Sequence, residues 1–416
     1  MSGKVQTEKF QTPRGTHDVL PSDTNWWHVV RVMEEVTALY GWGRIQTPGF
    51  EDTGLFERTA GAASDVVNKE MYTFEDRSNR SLTLRPEGTA PIARAYLQHG
   101  MHRLPQPVKA YTIAPMYRYG APGRGRHREH HQLSVEAIGS PDPAIDAEII
   151  QLYAELLRRL GVTKWELHLN SIGDENCRPQ YVERLNDWLD AHADLLDEDA
   201  RHKRATSPLQ VFDVKDPGVR AALEDAPKIG ESLCDACREH FEQVQKLLDA
   251  LGVPYVVDPT LVRGLDYYSR TTFEFIGPDE NANSTICGGG RYDGLVAAIG
   301  GPPTPGIGFG AGLERLLLAL ENENISFEQP HIDVFFVLED TPQRERVLVE
   351  LAKLRRAGVS ADTDYAGRSF KGQMTQAARS GARTVVIVRG DGAAIRRDGR
   401  EEQTVALDDV VATLTP

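Results

Sequence analysis

The sequence predicts an α+β protein with a strand-rich core, a helical insertion within that core, and a small α/β domain at its C-terminal end. Two apolar runs, at 108–119 and 131–138, have strand composition and a glycine-rich loop between them, which indicates a long hairpin. Strands and glycines return at 255–310, whereas residues 177–251 are helical in pattern and highly charged. Beyond residue 330, strands alternate with helices, as in α/β domains.

These patterns set the expected boundaries. We expect the core at 1–325, the insertion at about 175–252 and the α/β domain at 331–416. Apolar residues at helical intervals predict a first helix over residues 26–40, closed by Gly41. A short strand is predicted over residues 44–50, where Pro48 limits the hydrogen bonding of the ladder.

Length and composition favour a globular chain in a reducing compartment. The chain has 416 residues, of which 40% are hydrophobic and 26% charged, and it contains no apolar run long enough to span a membrane. Four cysteines do not make a disulfide framework, and no apolar leader opens the sequence, so we expect a cytoplasmic protein. The net charge of −14 argues against indiscriminate binding of nucleic acids, although the C-terminal domain is balanced in charge.

The hairpin carries the first candidate site residues. Strand periodicity puts Gln132, Ser134 and Glu136 on one face, which either lines a cleft or simply faces solvent. The hairpin loop holds four arginines, at 118, 124, 126 and 128, among glycines. Because guanidinium groups match phosphate oxygens in pairs, this loop is a candidate phosphate contact.

Two unusual runs follow the insertion. Residues 261–268 read Leu-Val-Arg-Gly-Leu-Asp-Tyr-Tyr, and residues 287–294 read Cys-Gly-Gly-Gly-Arg-Tyr-Asp-Gly. Arginine and tyrosine are costly to bury without partners, so these runs indicate a polar ligand pocket, although a structural hairpin would explain either one alone. In the third run, 306–315, alternate glycines lead into a helix with Arg315 and leave room for a flat ligand over the strand.

Together these segments resemble the histidyl-tRNA synthetases, a class II aminoacyl-tRNA synthetase family. The runs at 261–268 and 287–294 are similar to the two signature motifs of that family, the hairpin to motif 2 and residues 306–315 to motif 3. The first helix and the strand through Pro48 are similar to motif 1, which implies a homodimer. The resemblance also implies an antiparallel class II sheet with flanking helices. It makes residues 331–416, which contain the run 365–371, an anticodon-binding domain.

The resemblance implies an ATP site built from arginines. Arg118 would hold the α-phosphate, Arg263 would contact it from the opposite side, and Arg315 would lie against adenine or the γ-phosphate. Both reactants are anionic, so neutralising charge is the main catalytic requirement and no protein nucleophile is needed. Mg²⁺ is expected with ATP, with no ligands assigned. The alternative for Arg263 is an ordinary salt bridge to Asp266.

The resemblance also implies a histidine pocket. Its expected members are Glu87, Gly88, Thr89, Gln132, Glu136, Tyr267, Tyr268 and Tyr292. Glu87 would pair with the α-ammonium group with help from Gln132, and Glu136 would hydrogen-bond the imidazole. One of the paired tyrosines would give a hydroxyl to the ring, and Tyr292 would complete the wall. An acid and a hydroxyl on opposite sides distinguish imidazole from an apolar ring.

Some positions depart from the family pattern or suggest a metal. Ala121-Pro122-Gly123 stands where the family has Arg-Pro-Gln, which leaves open how the tRNA acceptor end and its extra 5′ guanosine are read, and His130 stands where Phe is common. Cys234, Cys237 and His240 suggest zinc, but a second ligand pair at proper spacing is missing. We therefore expect no bound metal there and favour helix packing.

The implied activity joins L-histidine to the tRNA for histidine with ATP, through histidyl-adenylate. Two other functions stay open at this point. One is a regulatory paralogue in histidine biosynthesis, which lacks the C-terminal domain and usually degrades the ATP-site arginines. The other is a class II synthetase for a different amino acid, against which Glu136 and the paired tyrosines argue.

Overall fold

The structure, a computed structural model, describes residues 9–415 except 62, 63, 65, 266, 279–284, 330, 340 and 398. The chain forms two compact units, Met1–Phe327 and Glu328–Pro416. No helix in the described part of the chain is both long and apolar enough to cross a membrane.

Eleven strands and ten helices make up the described part of the first unit. The strands are β1 Gly43–Arg44, β2 Phe50–Asp52, β3 Thr73–Glu75, β4 Ser81–Leu84, β5 Val108–Tyr117, β6 Glu129–Ile138, β7 Glu166–Ser171, β8 Val256–Val257, β9 Ser269–Ile276, β10 Thr285–Arg291 and β11 Gly306–Gly312. The helices are α1 Thr24–Leu39, α2 Thr53–Ala60, α3 Thr89–Gln98, α4 Pro143–Leu160, α5 Arg178–Ala191, α6 Glu198–Thr206, α7 Pro217–Ala222, α8 Asp235–Leu251, α9 Leu295–Ala298 and α10 Leu313–Asn322.

An eight-stranded sheet organises this unit, in the order β1-β5-β6-β11-β10-β9-β7-β8. Its central pairs, from β5–β6 to β9–β7, are antiparallel, and the short edge strands β1 and β8 pair in parallel. The apolar faces of α1, α4 and α10 bury Trp26, Leu156 and Leu316 in one core with the sheet residues Val135 and Phe309. The predicted hairpin is thus β5 and β6, at the centre of the sheet.

One predicted strand is wrong. Residues 44–50 do not form a continuous strand, because pairing stops at Arg44 and resumes at Phe50. The carbonyl groups of Thr47 and Pro48 instead accept hydrogen bonds from the buried Arg85 guanidinium, at 3.0 and 3.2 Å. A side chain from a distant part of the sequence therefore satisfies the backbone that a strand partner would have satisfied.

The insertion is helical, as predicted. Helices α5 to α7 surround their own apolar cluster, which includes Tyr181, Leu185 and Val211. Helix α8 ends the insertion and buries Val244 and Leu248 in the main core. The insertion is therefore anchored to the core of the first unit through α8.

The second unit is an α/β domain, as predicted. Its strands are β12 Val334–Leu338, β13 Ala361–Thr363, β14 Thr384–Arg389, β15 Gly392–Arg397 and β16 Gln403–Ala406, and its helices are α11 Arg344–Arg356, α12 Phe370–Arg379 and α13 Val410–Leu414. The sheet order is β13-β12-β14-β15-β16. Successive side chains of β12 enter different cores, Phe336 with Leu351 of α11 and Phe335 with Ala377 of α12, so helices cover both faces.

Candidate active site

A cavity of about 230 Å³ opens between the hairpin, β10, β11 and the segment before β9. The predicted residues that line it are Glu87, Thr89, Arg118, Gln132, Arg263, Tyr267, Tyr268 and Arg315. Gly88, Glu136 and Tyr292 lie behind this surface. The structure thus brings the predicted histidine and ATP residues to one place.

The polar face of β6 points into this site and is buried rather than solvated. Ser134 is 1% exposed and Glu136 is 0% exposed. Opposite them on β11, a side chain on Gly308 would meet Glu136 Oε2 at 1.8 Å, and one on Gly310 would meet Gln132 Nε2 at 1.7 Å. These glycines therefore make room for the polar side chains of β6. Gly310 and Gly312 also line the cavity, so the expected room for a flat ligand over this strand stays a prediction.

Glu136 lies beneath the cavity floor in a hydrogen-bond network. Its Oε1 accepts from the Thr89 hydroxyl at 2.7 Å, and its Oε2 accepts from the Tyr292 hydroxyl at 2.6 Å. Burial, together with the nearby carboxyl group of Glu87, raises the pKa of Glu136 to about 8 against the opposing effect of the two hydroxyls. Tyr292 thus supports Glu136 from behind and does not form part of the lining, contrary to the expected wall.

Glu87 holds the N-terminus of α3. Its carboxylate accepts from the backbone N–H of Thr89 at 2.6 Å and of Ala90 at 2.8 Å. Burial raises the pKa of Glu87, while these backbone hydrogen bonds lower it. A side chain on Gly88 would meet Ser134 Oγ at 2.3 Å, so glycine lets the start of α3 approach β6.

The two signature runs interlock at Arg263. Its guanidinium lies against Gly288, where an added Cβ would come within 2.3 Å of Nη2. The Tyr268 ring lies against Gly290, where an added Cβ would come within 2.9 Å of the ring atom Cδ1. Arg263 pairs with Glu274 of β9, and its Nε is buried without a hydrogen-bond partner in the described part of the chain. Asp266, the partner in the alternative interpretation, lies outside the described residues.

Four arginines gather at the mouth of the site. Arg118, Arg126, Arg263 and Arg315 all line the cavity. Burial lowers the pKa of Arg315, and the charges of Arg126, Arg118 and Arg263 lower it further. Such a concentration of positive charge suits a polyphosphate ligand.

The cavity lining includes residues that were not predicted as site members, among them His127 and Glu314, whereas Arg126 belongs to the loop already predicted to contact phosphate. Arg126 and His127 come from the hairpin loop, and Glu314 begins α10, where both of its oxygens accept the backbone N–H of His131 at 2.8 and 3.1 Å. All three stand within the predicted motifs, so their positions in the motifs were the available signal. Which loop side chains turn inward depends on the folded hairpin.

His130 also faces the cavity, as a neutral ring. Burial and the charge of Arg118 together lower its pKa to about 3, against the opposing effect of Glu314. The imidazole therefore stays uncharged at any physiological pH. His130 therefore offers the cavity a flat uncharged ring and adds no positive charge to that of the four arginines.

The raised pKa of Glu136 predicts a pH-dependent effect on stability. The folded protein holds a proton that the unfolded chain loses near pH 4.5, so this group stabilises the fold fully below pH 4.5, and the contribution is gone above about pH 8. Glu136→Gln removes that dependence. At pH 8 we expect the Tm of the variant to lie a few degrees above that of the wild type. At pH 5 the two Tm values should be equal, as measured by calorimetry. Equal differences at both pH values would contradict the assigned pKa.

Comparison with known proteins identifies the family. Residues 15–316 match the family model described as "Histidyl-tRNA synthetase". The chain belongs to the histidyl-tRNA synthetase family. It is 48% identical over 409 residues to the histidine–tRNA ligase of Desulforudis audaxviator, covering 97% of each chain, and 48% identical over 386 residues to that of Nocardia farcinica, covering 92% and 91%.

A solved histidyl-tRNA synthetase has the same fold. The structure of the apo enzyme from S. aureus matches with a TM-score of 0.82 and 36% identity, over 98% of this chain and 100% of that one. The predicted family and the class II fold with its C-terminal α/β domain are therefore confirmed. Members of this family are ATP-dependent aminoacyl-tRNA ligases.

Proposed function

We propose that this chain activates L-histidine with ATP to histidyl-adenylate and then transfers the histidyl group to the 3′ end of the tRNA for histidine. The observation that carries the proposal is the single cavity that joins four arginines to the network around a buried carboxyl group. One half of this site suits a nucleotide polyphosphate, and the other suits a small polar ring.

Histidine is selected in the half of the cavity above Glu136. We assign Glu87 and Gln132 to the α-ammonium group, and Glu136 to the imidazole N–H once the Thr89 hydroxyl has rotated away. Tyr267 and Tyr268, whose ring centroids are 4.7 Å apart, close the opposite side. A phenylalanine ring in this place would leave the buried polar groups unpaired, which is the costly case.

Adenylation takes place where the arginines meet. The histidine carboxylate attacks the α-phosphorus of ATP, a new carboxyl–phosphate bond forms, and pyrophosphate leaves with the electron pair of the broken bond. Arg118 and Arg263 neutralise the charge that develops on the α-phosphate, while Arg315 and Arg126 hold the remaining phosphates. Mg²⁺ arrives with ATP as part of the substrate.

His130 is the expected stacking surface for adenine. Because its ring is neutral, we expect His130→Phe to keep the KM for ATP within a few-fold of the wild type. We expect His130→Ala to raise it about 10-fold, since stacking of a base on an aromatic ring contributes about 1–3 kcal/mol. Pyrophosphate exchange at varied ATP concentration measures both values. A larger loss with Phe than with Ala would contradict this role.

The second unit and a second copy of the chain complete the proposal. We assign the α/β domain to the anticodon of the tRNA, expect a homodimer, and place the protein in the cytoplasm. Transfer of radiolabelled histidine to transcripts of different tRNAs tests the overall activity. We expect labelling of the tRNA for histidine alone, and labelling of none, or of another tRNA instead, would contradict the proposal.

A further inference from the structure

Three thiols and a carboxylate meet where the insertion leaves the core sheet. The ligand atoms of Asp174, Cys177, Cys234 and Cys237 lie within 4.8 Å of one another. Cys177 Sγ is 3.9 Å from Cys237 Sγ and 3.7 Å from Asp174 Oδ1, and Cys234 Sγ is 3.9 Å from the same oxygen. We propose that these residues form a structural Zn²⁺ site with three thiolate ligands and one carboxylate ligand.

The separation of two of the sulfurs fits one tetrahedral ion. Zinc–sulfur bonds of about 2.3 Å place two sulfur ligands about 3.8 Å apart in a tetrahedron. The observed separation between Cys177 and Cys237 is close to that value. The three cysteines form no disulfide, so all three sulfurs are available as ligands. The four ligand atoms, all within 4.8 Å of one another, are therefore already gathered near the size of a zinc ligand shell.

The ligands come from two short pairs at helix starts. Asp174 and Cys177 are three positions apart just before α5, and Cys234 and Cys237 have the same spacing at the start of α8. The Asp174 N–H donates to Cys177 Sγ at 3.4 Å, a contact that stabilises a thiolate. At Gly173, where φ is +64°, an added Cβ would lie 2.7 Å from that sulfur, so the turn closes on the ligand.

Charge and access also suit a cation. Arg270 Nη2 lies 3.2 Å from Asp174 Oδ2, which turns Oδ1 towards the sulfurs and offsets part of the negative charge of the four ligands. Cys237 is fully buried and Cys177 is 4% exposed, which protects the ion from solvent. Cys234 is partly exposed and leaves an entry path.

Cys234 and Cys237 suggested zinc from the sequence, and the position of the second ligand pair explains why no bound metal was expected there. His240, the ligand considered with Cys234 and Cys237, is instead paired with the buried Asp146, at 2.8 Å. The missing pair is Asp174 and Cys177, which stands some sixty positions earlier and comes into contact only when the insertion folds back. The donors are then the set that Zn²⁺ prefers.

A zinc ion here would fasten the insertion beside the histidine pocket. The ion would link the segment after β7, where the insertion begins, to the start of α8, the last helix of the insertion. The Arg178 guanidinium, next to Cys177, donates to the Tyr268 carbonyl at 2.7 Å. The site therefore supports the backbone of one of the paired tyrosines through a single intervening side chain.

Metal analysis of the full-length protein, without an affinity tag, tests the proposal. Protein expressed with added zinc and purified under reducing conditions is expected to hold zinc in equimolar amount. X-ray absorption should show three sulfur ligands and one oxygen ligand, and Co²⁺ substitution should give the intense visible bands of tetrahedral thiolate cobalt. Zinc well below equimolar after reconstitution, or a disulfide between Cys177 and Cys237 in the native protein, would overturn it.

Variants with matched controls separate a ligand role from a packing role. Cys234→Ser and Asp174→Asn are expected to lose zinc, whereas Asp174→Cys is expected to keep it and to raise the sulfur count to four. Asp235→Asn, at an exposed carboxylate beside Cys234, and Cys287→Ser, at a buried thiol elsewhere, should keep a full zinc content. A chelator should lower the Tm of the wild type but not that of Cys234→Ser.

The two Asp174 variants decide the matter even if Cys234→Ser fails to fold. They leave all three thiols in place and change only the fourth ligand. Unchanged metal content in Asp174→Asn, together with an unchanged sulfur count in Asp174→Cys, would exclude Asp174 as a ligand and overturn the proposed set.

Discussion

Arg263→His is expected to lower the rate of histidyl-adenylate formation by about 10²–10³, the usual cost of removing one preorganised contact to a developing charge. Arg263 lines the cavity with three other arginines and lies against Gly288, so its fork is held in place before ATP binds. Because it stands outside the residues assigned to histidine, the variant should still bind histidine. Single-turnover adenylation and histidine titration by intrinsic fluorescence measure the two properties separately.

Two further variants exclude trivial explanations of that loss. Arg263→Lys keeps the charge that faces Glu274 but loses the planar fork, and we expect an intermediate rate. Arg124→His makes the same change at an exposed arginine of the hairpin loop and should react like the wild type. If adenylation by Arg263→His were unchanged while histidine still bound, the role assigned to Arg263 would be wrong.

Glu136→Gln is expected to raise the KM for histidine about 10- to 100-fold, because leaving a buried polar group without its hydrogen-bond partner costs about 1–3 kcal/mol. The carboxyl group of Glu136 is fully buried and accepts hydrogen bonds from the Thr89 and Tyr292 hydroxyls. An amide in its place keeps the volume but replaces one acceptor oxygen with an NH₂ donor, so either a supporting hydroxyl or the imidazole N–H loses its acceptor. Pyrophosphate exchange at varied histidine concentration measures the effect.

The loss should be specific to histidine. The KM for ATP is expected to stay near the wild-type value in Glu136→Gln, since the arginines are untouched. Glu148→Gln, at a surface carboxylate paired with Lys109, is the matched control and should change neither constant. A rise in the KM for ATP equal to that for histidine would mean that Glu136 supports the whole cavity and not the ring pocket.

Strand periodicity predicted the catalytic sheet well where both neighbours of a strand are regular. The face with Gln132 and Glu136 was predicted from alternation alone, and β6 pairs as expected. The continuous strand predicted over residues 44–50 does not form, because the Arg85 guanidinium donates hydrogen bonds to carbonyl groups of this segment. Sequence patterns cannot place a side chain that comes from so far along the chain. Local composition reports the preference of a segment, not the side chain that reaches it from elsewhere.

The sequence predicted which residues belong to the site, but not which of them line the cavity and which lie behind the lining. The resemblance to the family implied that Arg118, Arg263 and Arg315 share one site, and all three line the cavity. The resemblance did not distinguish the lining from the layer behind it, where Tyr292 holds Glu136. That distinction depends on which glycines of β10 and β11 leave room for a neighbouring side chain, and therefore on strand register.

Amino-acid-dependent exchange of pyrophosphate into ATP tests the central claim most directly. The claim is that a cluster of arginines and a buried carboxyl group act on one histidine molecule within one cavity. The account predicts rapid exchange with L-histidine and none with the other amino acids. Absence of exchange with L-histidine, as a regulatory protein would show, or rapid exchange with a different amino acid would contradict it.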